Sequence, residues 1–189
     1  MKKDHLMVKT FVLNFEQIEK LLWDQINSLR YRVIHQKLKW LVENEQLSDF
    51  DKYDEIAIHI FVTVNNQIVG YARLVDGTKA MLFCEDSFRS MFVDDLKHFE
   101  EVSEKSMEVS RLVLEPEMSN TLRTLVFLKL IKTIEQQVQL FGKSMVIAVT
   151  MEKMMVALEK AGYELSFSSR HAIEEQEIAI AAIFSKRNV

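Results

Sequence analysis

An arginine, a tryptophan and two aspartates in the first third of the chain carry the groups needed to hold a charged ligand with a flat ring. Arg30 lies in an amphipathic segment, Trp40 follows it, and Asp51 and Asp54 stand close together in an acidic stretch. A guanidinium pairs with carboxylates, and an indole offers a flat apolar face. From spacing alone, the plainer interpretation is favoured: a helix-surface arginine, a core tryptophan and solvated loop acids.

A second arginine closes an apolar, β-prone run. Arg73 follows residues 68–72, and a buried arginine there needs an ionic partner because an unpaired buried charge is costly. An edge arginine that reaches solvent is the alternative. Gly70 inside the run indicates a bulge or a close approach of another part of the chain.

A carboxylate and a hydroxyl lie two residues apart in another β-prone segment, residues 108–114. Glu108 and Ser110 share one face of a strand, and Arg111 points to the other. Such a pair could deprotonate an amine, directly or through water. Taken alone, the segment is more typical of an edge strand with its polar face in solvent.

Elements with alternating helical and strand patterns must position these residues. Apolar spacing predicts a long amphipathic helix over residues 15–38, and Asn65–Asn66 predicts the turn of a hairpin. The fold expected is an α/β, three-layer α/β/α domain with a central mixed sheet, in which residues 1–189 form one domain. The remaining expected elements are strands over 7–13, 56–64, 67–74, 108–114, 144–149 and 177–184, helices over 121–141 and 151–161, and a partly helical region over 83–99.

Composition narrows the functional class. A formal net charge of -4 argues against a dedicated nucleic-acid binder, and the single cysteine, Cys84, allows no intrachain disulfide. The five histidines show no paired metal-ligand spacing, so we expect no metal. Without an apolar run long enough for a signal peptide or a membrane span, we expect a cytoplasmic protein.

In order and separation, these residues resemble the signature of the acyl-homoserine-lactone synthase (autoinducer synthase, LuxI-like) family, over roughly residues 25–115. The later motifs of that signature correspond to residues 70–74 and 108–111. Its first motif falls on Arg30, Ile34, Trp40, Asp51 and Asp54. Ile34 departs from the family's usual phenylalanine and lacks an aromatic face for stacking. Residues 75–80 replace a turn rich in proline and threonine, and Leu112 also stands where phenylalanine is usual.

The resemblance implies a GNAT-like fold and a defined reaction. An acyl chain passes from acyl-carrier protein or acyl-CoA to the amine of S-adenosylmethionine, and methylthioadenosine is released. S-adenosylmethionine is then a substrate, and no cofactor is expected. By the same resemblance Glu108 acts as the base beside Ser110, and Arg30, Ile34 and Trp40 belong to the substrate pocket. Charge pairs that hold the site are assigned to Asp51, Asp54, Arg73 and Arg111.

The stretch 115–123 bears on the acyl donor. Most GNAT enzymes have a glycine-rich turn there for the pyrophosphate of coenzyme A, whereas this stretch has no glycine and two acids. That composition favours a carrier-bound donor, and Arg123, Lys129, Lys132 and Lys143 are candidate docking cations. Two alternatives stay open: a related N-acyltransferase that acylates an amino acid or polyamine, and a catalytically silent small-molecule-binding domain.

Overall fold

The computed structural model describes residues 6–172 and 178–186. The described residues form seven strands and six α-helices, one strand more than the sequence patterns predict. The strands are β1 Val8–Asn14, β2 Ile58–Val64, β3 Gln67–Asp76, β4 Ser106–Leu114, β5 Met145–Thr150, β6 Tyr163–Ala172 and β7 Ile178–Lys186. The helices are α1 Lys20–Tyr31, α2 Met81–Cys84, α3 Asp86–Met91, α4 Leu96–Ser103, α5 Asn120–Leu140 and α6 Glu152–Lys160.

All seven strands form one mixed sheet in the order β1-β2-β3-β4-β5-β7-β6. The pair β4–β5 is parallel, whereas β1–β2, β5–β7 and β6–β7 are antiparallel. Positive φ angles of 50° and 67° at Asn65 and Asn66 give β2 and β3 the two-residue hairpin turn that matches strand twist. The predicted α/β class with a mixed sheet is confirmed.

The chain divides into two compact units. The first comprises Met1–Arg73 and Arg111–Ile134, and the second comprises Leu74–Ser110 and Glu135–Val189. Strands β3 and β4 contribute residues to both. The expectation of a single domain stays a prediction.

In the first unit, α1 packs on the sheet through an apolar cluster. Its members include Ile26 and Leu29 of α1, Phe61 of β2 and Tyr71 of β3. Gly70 marks the closest approach of α5 to β3, because an added Cβ would lie 2.6 Å from Val126 Cγ1. The close approach predicted at this glycine is therefore confirmed.

In the second unit, a separate core forms around aromatic residues. Phe92 and Phe99 pack with Ile147 of β5 and Ala181 of β7. Gly77 is needed there because a Cβ would lie 2.3 Å from the Ser103 carbonyl oxygen. Within residues 6–172 and 178–186, no helix has the length and apolar character to cross a membrane.

Two sequence predictions were wrong in detail. The helix predicted to begin at residue 15 begins at Lys20, because Gln17 Oε1 accepts a hydrogen bond from Asn14 N (2.8 Å) and closes a separate 3₁₀ turn. Strand β6 was not predicted. Its exposure does not alternate regularly, and its register with β7 shifts between Leu165 and Phe167.

Candidate active site

Three arginines and three aspartates of the first unit form a closed ring of ion pairs. Each arginine comes from a different element: Arg30 from α1, Arg73 from β3 and Arg111 from β4. All three aspartates come from the single segment that precedes β2: Asp49, Asp51 and Asp54. Each arginine bridges two aspartates, and each aspartate bridges two arginines.

Arg30 is the most enclosed member of the ring. Its Nε donates to Asp49 Oδ2 at 2.8 Å, and its Nη1 donates to Asp54 Oδ1 at 2.7 Å. Its Nη2 donates to the Asp49 carbonyl at 2.5 Å and to Asp54 Oδ2 at 3.2 Å. Since the residue is 0% exposed, these partners replace water entirely.

The other two arginines complete the circuit. Arg73 Nη1 lies 2.5 Å from Asp51 Oδ1 and 2.9 Å from Asp54 Oδ1. Arg111 places Nε 2.8 Å from Asp49 Oδ2 and Nη2 3.1 Å from Asp51 Oδ2. Arg111 has a φ of 54°, so a left-handed backbone interrupts the regular alternation of β4 at this residue.

The acidic segment is folded locally so that its carboxylates converge. Asp51 Oδ1 accepts from Tyr53 N at 2.9 Å, and Asp54 Oδ2 accepts from Asp51 N at 2.9 Å. These side-chain-to-backbone bonds build tight turns, which aspartate favours. A short segment can therefore supply all three carboxylates.

The ring shifts the pKa values of Asp49, Asp54, Arg30 and Arg73 in the direction that keeps these four groups charged. Burial alone would raise the pKa of Asp49 and of Asp54, but Arg30 together with Arg111 or Arg73 holds both below the ordinary value. Burial alone would lower the pKa of Arg30, but neighbouring Tyr71, Asp54 and Asp49 raise it above its usual range. Three guanidiniums and three carboxylates thus balance one another in formal charge.

An aromatic layer of buried and half-buried rings surrounds Arg30. Its guanidinium carbon lies 5.6 Å from the Trp23 ring centroid and 5.3 Å from that of Tyr71. His59 Nδ1 lies 2.7 Å from the Tyr71 hydroxyl, and His59 Nε2 lies 2.9 Å from the Asp54 carbonyl. Burial lowers the pKa of His59 to about 4, so its ring is neutral and donates through Nε2.

Ile34 and Trp40, both predicted to line the substrate pocket, occupy different surroundings. Ile34 is buried in the apolar cluster of the first unit, beside α1 and Phe61. Trp40 is 44% exposed, and its backbone N–H donates to the Ile34 carbonyl at 3.0 Å. Trp40 is therefore not a core tryptophan, which was the plain alternative.

Glu108 and Ser110 belong to the second unit. Glu108 is 2% exposed, and its Oε2 accepts from Met81 N at 2.8 Å while Oε1 accepts from Leu82 N at 3.4 Å. Backbone N–H groups at the start of α2 thus stabilise a carboxylate. Ser110 is half-buried on the same strand.

The start of α5 is closed by its own side chains. Arg123 Nη2 donates to the Pro116 carbonyl at 2.5 Å, and Leu122 N donates to Ser119 Oγ at 3.4 Å. Glu115 Oε2 pairs with Arg32 Nη2 at 2.6 Å. Ser119 thus caps a backbone N–H at the helix start, where a helix could otherwise receive phosphate.

Residues 29–129, more than half of the chain, match the family model of the acetyltransferase (GNAT) domain. The chain belongs to the GNAT acetyltransferase family. The predicted GNAT-like fold is confirmed, and the protein is an acyltransferase. No curated protein sequence matches this GNAT-family chain.

Solved structures of low sequence identity share the fold of this GNAT protein. The AHL synthase LasI superposes with a TM-score of 0.72 at 18% identity, over 97% of this chain and 91% of that one. TofI, in a ternary complex with an inhibitor and MTA, superposes with a TM-score of 0.73 at 20% identity, over 94% of this chain and 91% of that one. The CoA-dependent acyl-homoserine lactone synthase BjaI, with SAM and isopentyl-CoA, superposes with a TM-score of 0.71 at 17% identity, over 97% of this chain and 84% of that one.

The structure brings five predicted residues of the GNAT protein into one network: Arg30, Asp51, Asp54, Arg73 and Arg111 all belong to the ring. The reasoning from sequence missed Asp49, which joins Arg30 to Arg111. Position in the acidic segment was its only signal. In the described part of the chain, no group of three His, Cys, Asp or Glu side chains is arranged to hold a metal ion.

Proposed function

We propose that this GNAT-family protein is an acyl-homoserine-lactone synthase. It transfers an acyl chain from a carrier protein to the amine of S-adenosylmethionine, closes the lactone and releases methylthioadenosine, producing a quorum-sensing signal. The observation that carries the proposal is the closed ring, because the arginines and aspartates of the synthase signature meet there in one ionic network.

Known complexes of fold neighbours support the choice of substrates. TofI is described with MTA, and BjaI is described with SAM and isopentyl-CoA. A GNAT fold supplies acyl transfer to an amine, and the signature residues favour an amine carried by a sulfonium compound. The two features together favour S-adenosylmethionine over a simple amino acid.

The reaction requires two bond exchanges. The neutral amine of S-adenosylmethionine attacks the thioester carbonyl, so a C–N bond forms, a C–S bond breaks and the carrier thiol leaves. The methionyl carboxylate then attacks the carbon that bears the sulfonium, so a C–O bond forms and neutral methylthioadenosine leaves. The ammonium must lose a proton before the first step.

Glu108 is the base we assign to that proton. Two backbone N–H groups donate to its side-chain oxygens, and such bonds favour the carboxylate, the form that can accept a proton. The proton comes from the ammonium directly or through a bridging water. Ser110 on the same strand is assigned to orient that proton transfer.

The ionic ring is assigned a positioning role. Arg30, Asp51, Asp54, Arg73 and Arg111 hold the segment that leads to β2 in one conformation, and this pre-organises its neighbours for binding. Trp40 keeps an accessible indole face, and we assign it to the adenosine or methionyl group. Ile34 is assigned to shape the pocket from the apolar side, without stacking.

An acyl-carrier protein is the donor we favour over acyl-CoA. The start of α5 has no glycine and is capped by Ser119, and the exposed Glu117 in the preceding turn repels a pyrophosphate. A carrier presents the same thioester on a single phosphopantetheine, without the nucleotide diphosphate. Arg123 and Lys143 already bind groups of the chain, so Lys129 and Lys132 are the better docking candidates.

A related N-acyltransferase with another amine acceptor is the second candidate. The burial of Ile34 in place of an aromatic residue favours it, because one stacking surface is lost. Such an enzyme keeps the strand carboxylate but produces no methylthioadenosine.

Methylthioadenosine release separates the candidates. Purified protein is incubated with S-adenosylmethionine and a panel of acyl-carrier and acyl-CoA donors, and the nucleoside is quantified by chromatography. Donor-dependent release supports the synthase and identifies its donor. Acyl transfer to amino acids or polyamines without methylthioadenosine supports the second candidate, and the absence of any transfer supports a silent binding domain.

A further inference from the structure

His35 connects two parts of the segment that carries Trp40 and Asp49. The residue lies in the π-helical turn Arg32–Lys37 that continues α1, and it is 4% exposed. Its Nδ1 lies 2.7 Å from the Val42 carbonyl oxygen, and its Nε2 lies 2.9 Å from Asp49 Oδ1. One imidazole therefore ties the beginning of the segment to its acidic end.

Both partners of this imidazole are hydrogen-bond acceptors. A carbonyl has no proton to donate, and Asp49 is ionised because its other oxygen accepts from Arg30 and Arg111. A neutral imidazole carries one N–H and can satisfy only one of these two acceptors. Both bonds form together when both ring nitrogens are protonated.

The surroundings of the ring suit a cation. Tyr31 stacks on His35 with the ring centroids 4.5 Å apart and an interplanar angle of 19°, and an aromatic face attracts a cation. Asp49 is the charged group in direct contact, and the two guanidiniums behind it face its opposite oxygen. With both ring nitrogens protonated, His35 would be a third cationic partner for a carboxylate that two arginines already share.

Apart from Asp49, which the ionic ring holds, the segment tied by His35 is held by neutral hydrogen bonds. Asn44 N donates to the Tyr31 hydroxyl at 3.3 Å, Ser48 N donates to Asn44 Oδ1 at 3.0 Å, and Asp49 N donates to Asn27 Oδ1 at 2.8 Å. Two hydrogen bonds anchor the backbone around Trp40. The Trp40 N–H donates to the Ile34 carbonyl, and the Val42 carbonyl accepts from His35. A change at His35 is therefore transmitted to the position of the indole.

We propose that His35 is a positioning residue whose doubly protonated ring clamps residues 42–49 onto the ionic ring and fixes Trp40, and that loss of one ring proton releases this clamp. The clamp itself is a property of the free protein. Its consequence for S-adenosylmethionine binding rests on the function proposed above. Affinity for that substrate is expected to fall as pH rises through the titration of His35.

Nuclear magnetic resonance of the full chain without ligand tests the clamp directly. The ¹⁵N shifts of the His35 ring report how many ring nitrogens carry protons, and amide exchange at Asn44, Ser48 and Asp49, corrected for intrinsic rates, reports the segment. When the ring loses one proton, we expect amide exchange to become at least about tenfold faster, which is the loss of protection expected when a hydrogen bond to a charged group breaks. The midpoint of this change should coincide with the midpoint of the ring titration. A singly protonated ring over a pH range where these amides stay protected would overturn the proposal.

A pair of variants gives an independent check. His35→Gln, which cannot donate to both acceptors, is expected to show fast segment exchange at every pH, whereas His98→Gln, at an exposed histidine, keeps the wild-type profile. Calorimetry with S-adenosylmethionine should show the midpoint of the ring titration in wild type and no pH dependence in His35→Gln. If S-adenosylmethionine binds at no pH, the proposed function fails while the exchange result still decides the clamp.

Discussion

Replacing Asp54 by asparagine should cost a large part of the stability of the first unit. The Asp54 carboxylate is 0% exposed and accepts four hydrogen bonds, at 2.7 and 3.2 Å from Arg30, 2.9 Å from Arg73 and 2.9 Å from Asp51 N. Asparagine keeps the size but offers one oxygen, and its NH₂ group faces donors. The variant leaves three arginines sharing two carboxylates.

The magnitude follows from the burial of these charges. Removing one partner of a buried ion pair costs about 3–5 kcal/mol, which is a large part of the roughly 5–15 kcal/mol that stabilises a typical domain. An exposed substitution is worth less than about 0.5 kcal/mol. Asp24→Asn, at an exposed position on the same helix as Arg30, is the matched control.

Urea denaturation followed by tryptophan fluorescence measures this difference. Both tryptophans of the chain, Trp23 and Trp40, lie in the first unit, so the signal reports the unfolding of that unit. The free energy of unfolding should fall by about 3–5 kcal/mol in Asp54→Asn and stay unchanged in Asp24→Asn. A loss below about 1 kcal/mol would refute the reasoning, because it would mean that solvent replaces the lost partner.

Four further outcomes follow from the structure. The folded-state pKa values of Asp49 and Asp54 lie below the ordinary 3.8, so the stability that these carboxylates contribute is full above that pH and declines below it. The urea midpoint of wild type should therefore fall more steeply between about pH 4 and pH 2 than the urea midpoint of Asp54→Asn. Gly70→Ala should lower the free energy of unfolding by about 1–3 kcal/mol through overpacking against Val126, measured by the same denaturation. Glu108→Gln should lower turnover at least about tenfold, a barrier of about 1.4 kcal/mol in steady-state kinetics. Trp40→Ala should weaken S-adenosylmethionine binding in calorimetry without shifting the urea midpoint, since the indole is 44% exposed.

Each of these has a contradicting result. Parallel pH profiles for wild type and Asp54→Asn would show that the ring does not lower the carboxyl pKa. A Gly70→Ala loss below about 0.5 kcal/mol, the scale of an exposed substitution, would show that the contact with α5 adjusts freely. Unchanged turnover in folded Glu108→Gln would remove Glu108 from the mechanism, and equal affinity in Trp40→Ala would remove Trp40 from the binding site.

Local patterns predicted most elements because each has a strong periodic or turn signal. The hairpin turn at Asn65–Asn66 and the end of α5 at Gly142 depend on nearby residues alone, and both were placed from sequence. Strand β6 was missed because an edge strand with a register shift has no regular alternation of exposure. The start of α1 was misplaced because apolar spacing does not distinguish a 3₁₀ turn from a helix.

The ionic ring was predicted only in part. Arg30, Asp51 and Asp54 stand out by their spacing, but which carboxylate meets which guanidinium depends on how α1, β3 and β4 converge. His35 had no signal in a single sequence, and Asp49 had only its position in the acidic segment, since loop acids and helix histidines are usually solvated. Their contacts come from tertiary structure and could not be read from local pattern.

The most direct test of the proposed function is the stoichiometry of its two leaving groups. One turnover of the proposed reaction frees one carrier thiol and one methylthioadenosine, so both are measured in the same reaction of purified protein, acyl-carrier protein thioester and S-adenosylmethionine. Equal release of the two, dependent on both substrates, is the expected result. Thiol release without methylthioadenosine would contradict lactone synthesis and leave an N-acyltransferase with a different product.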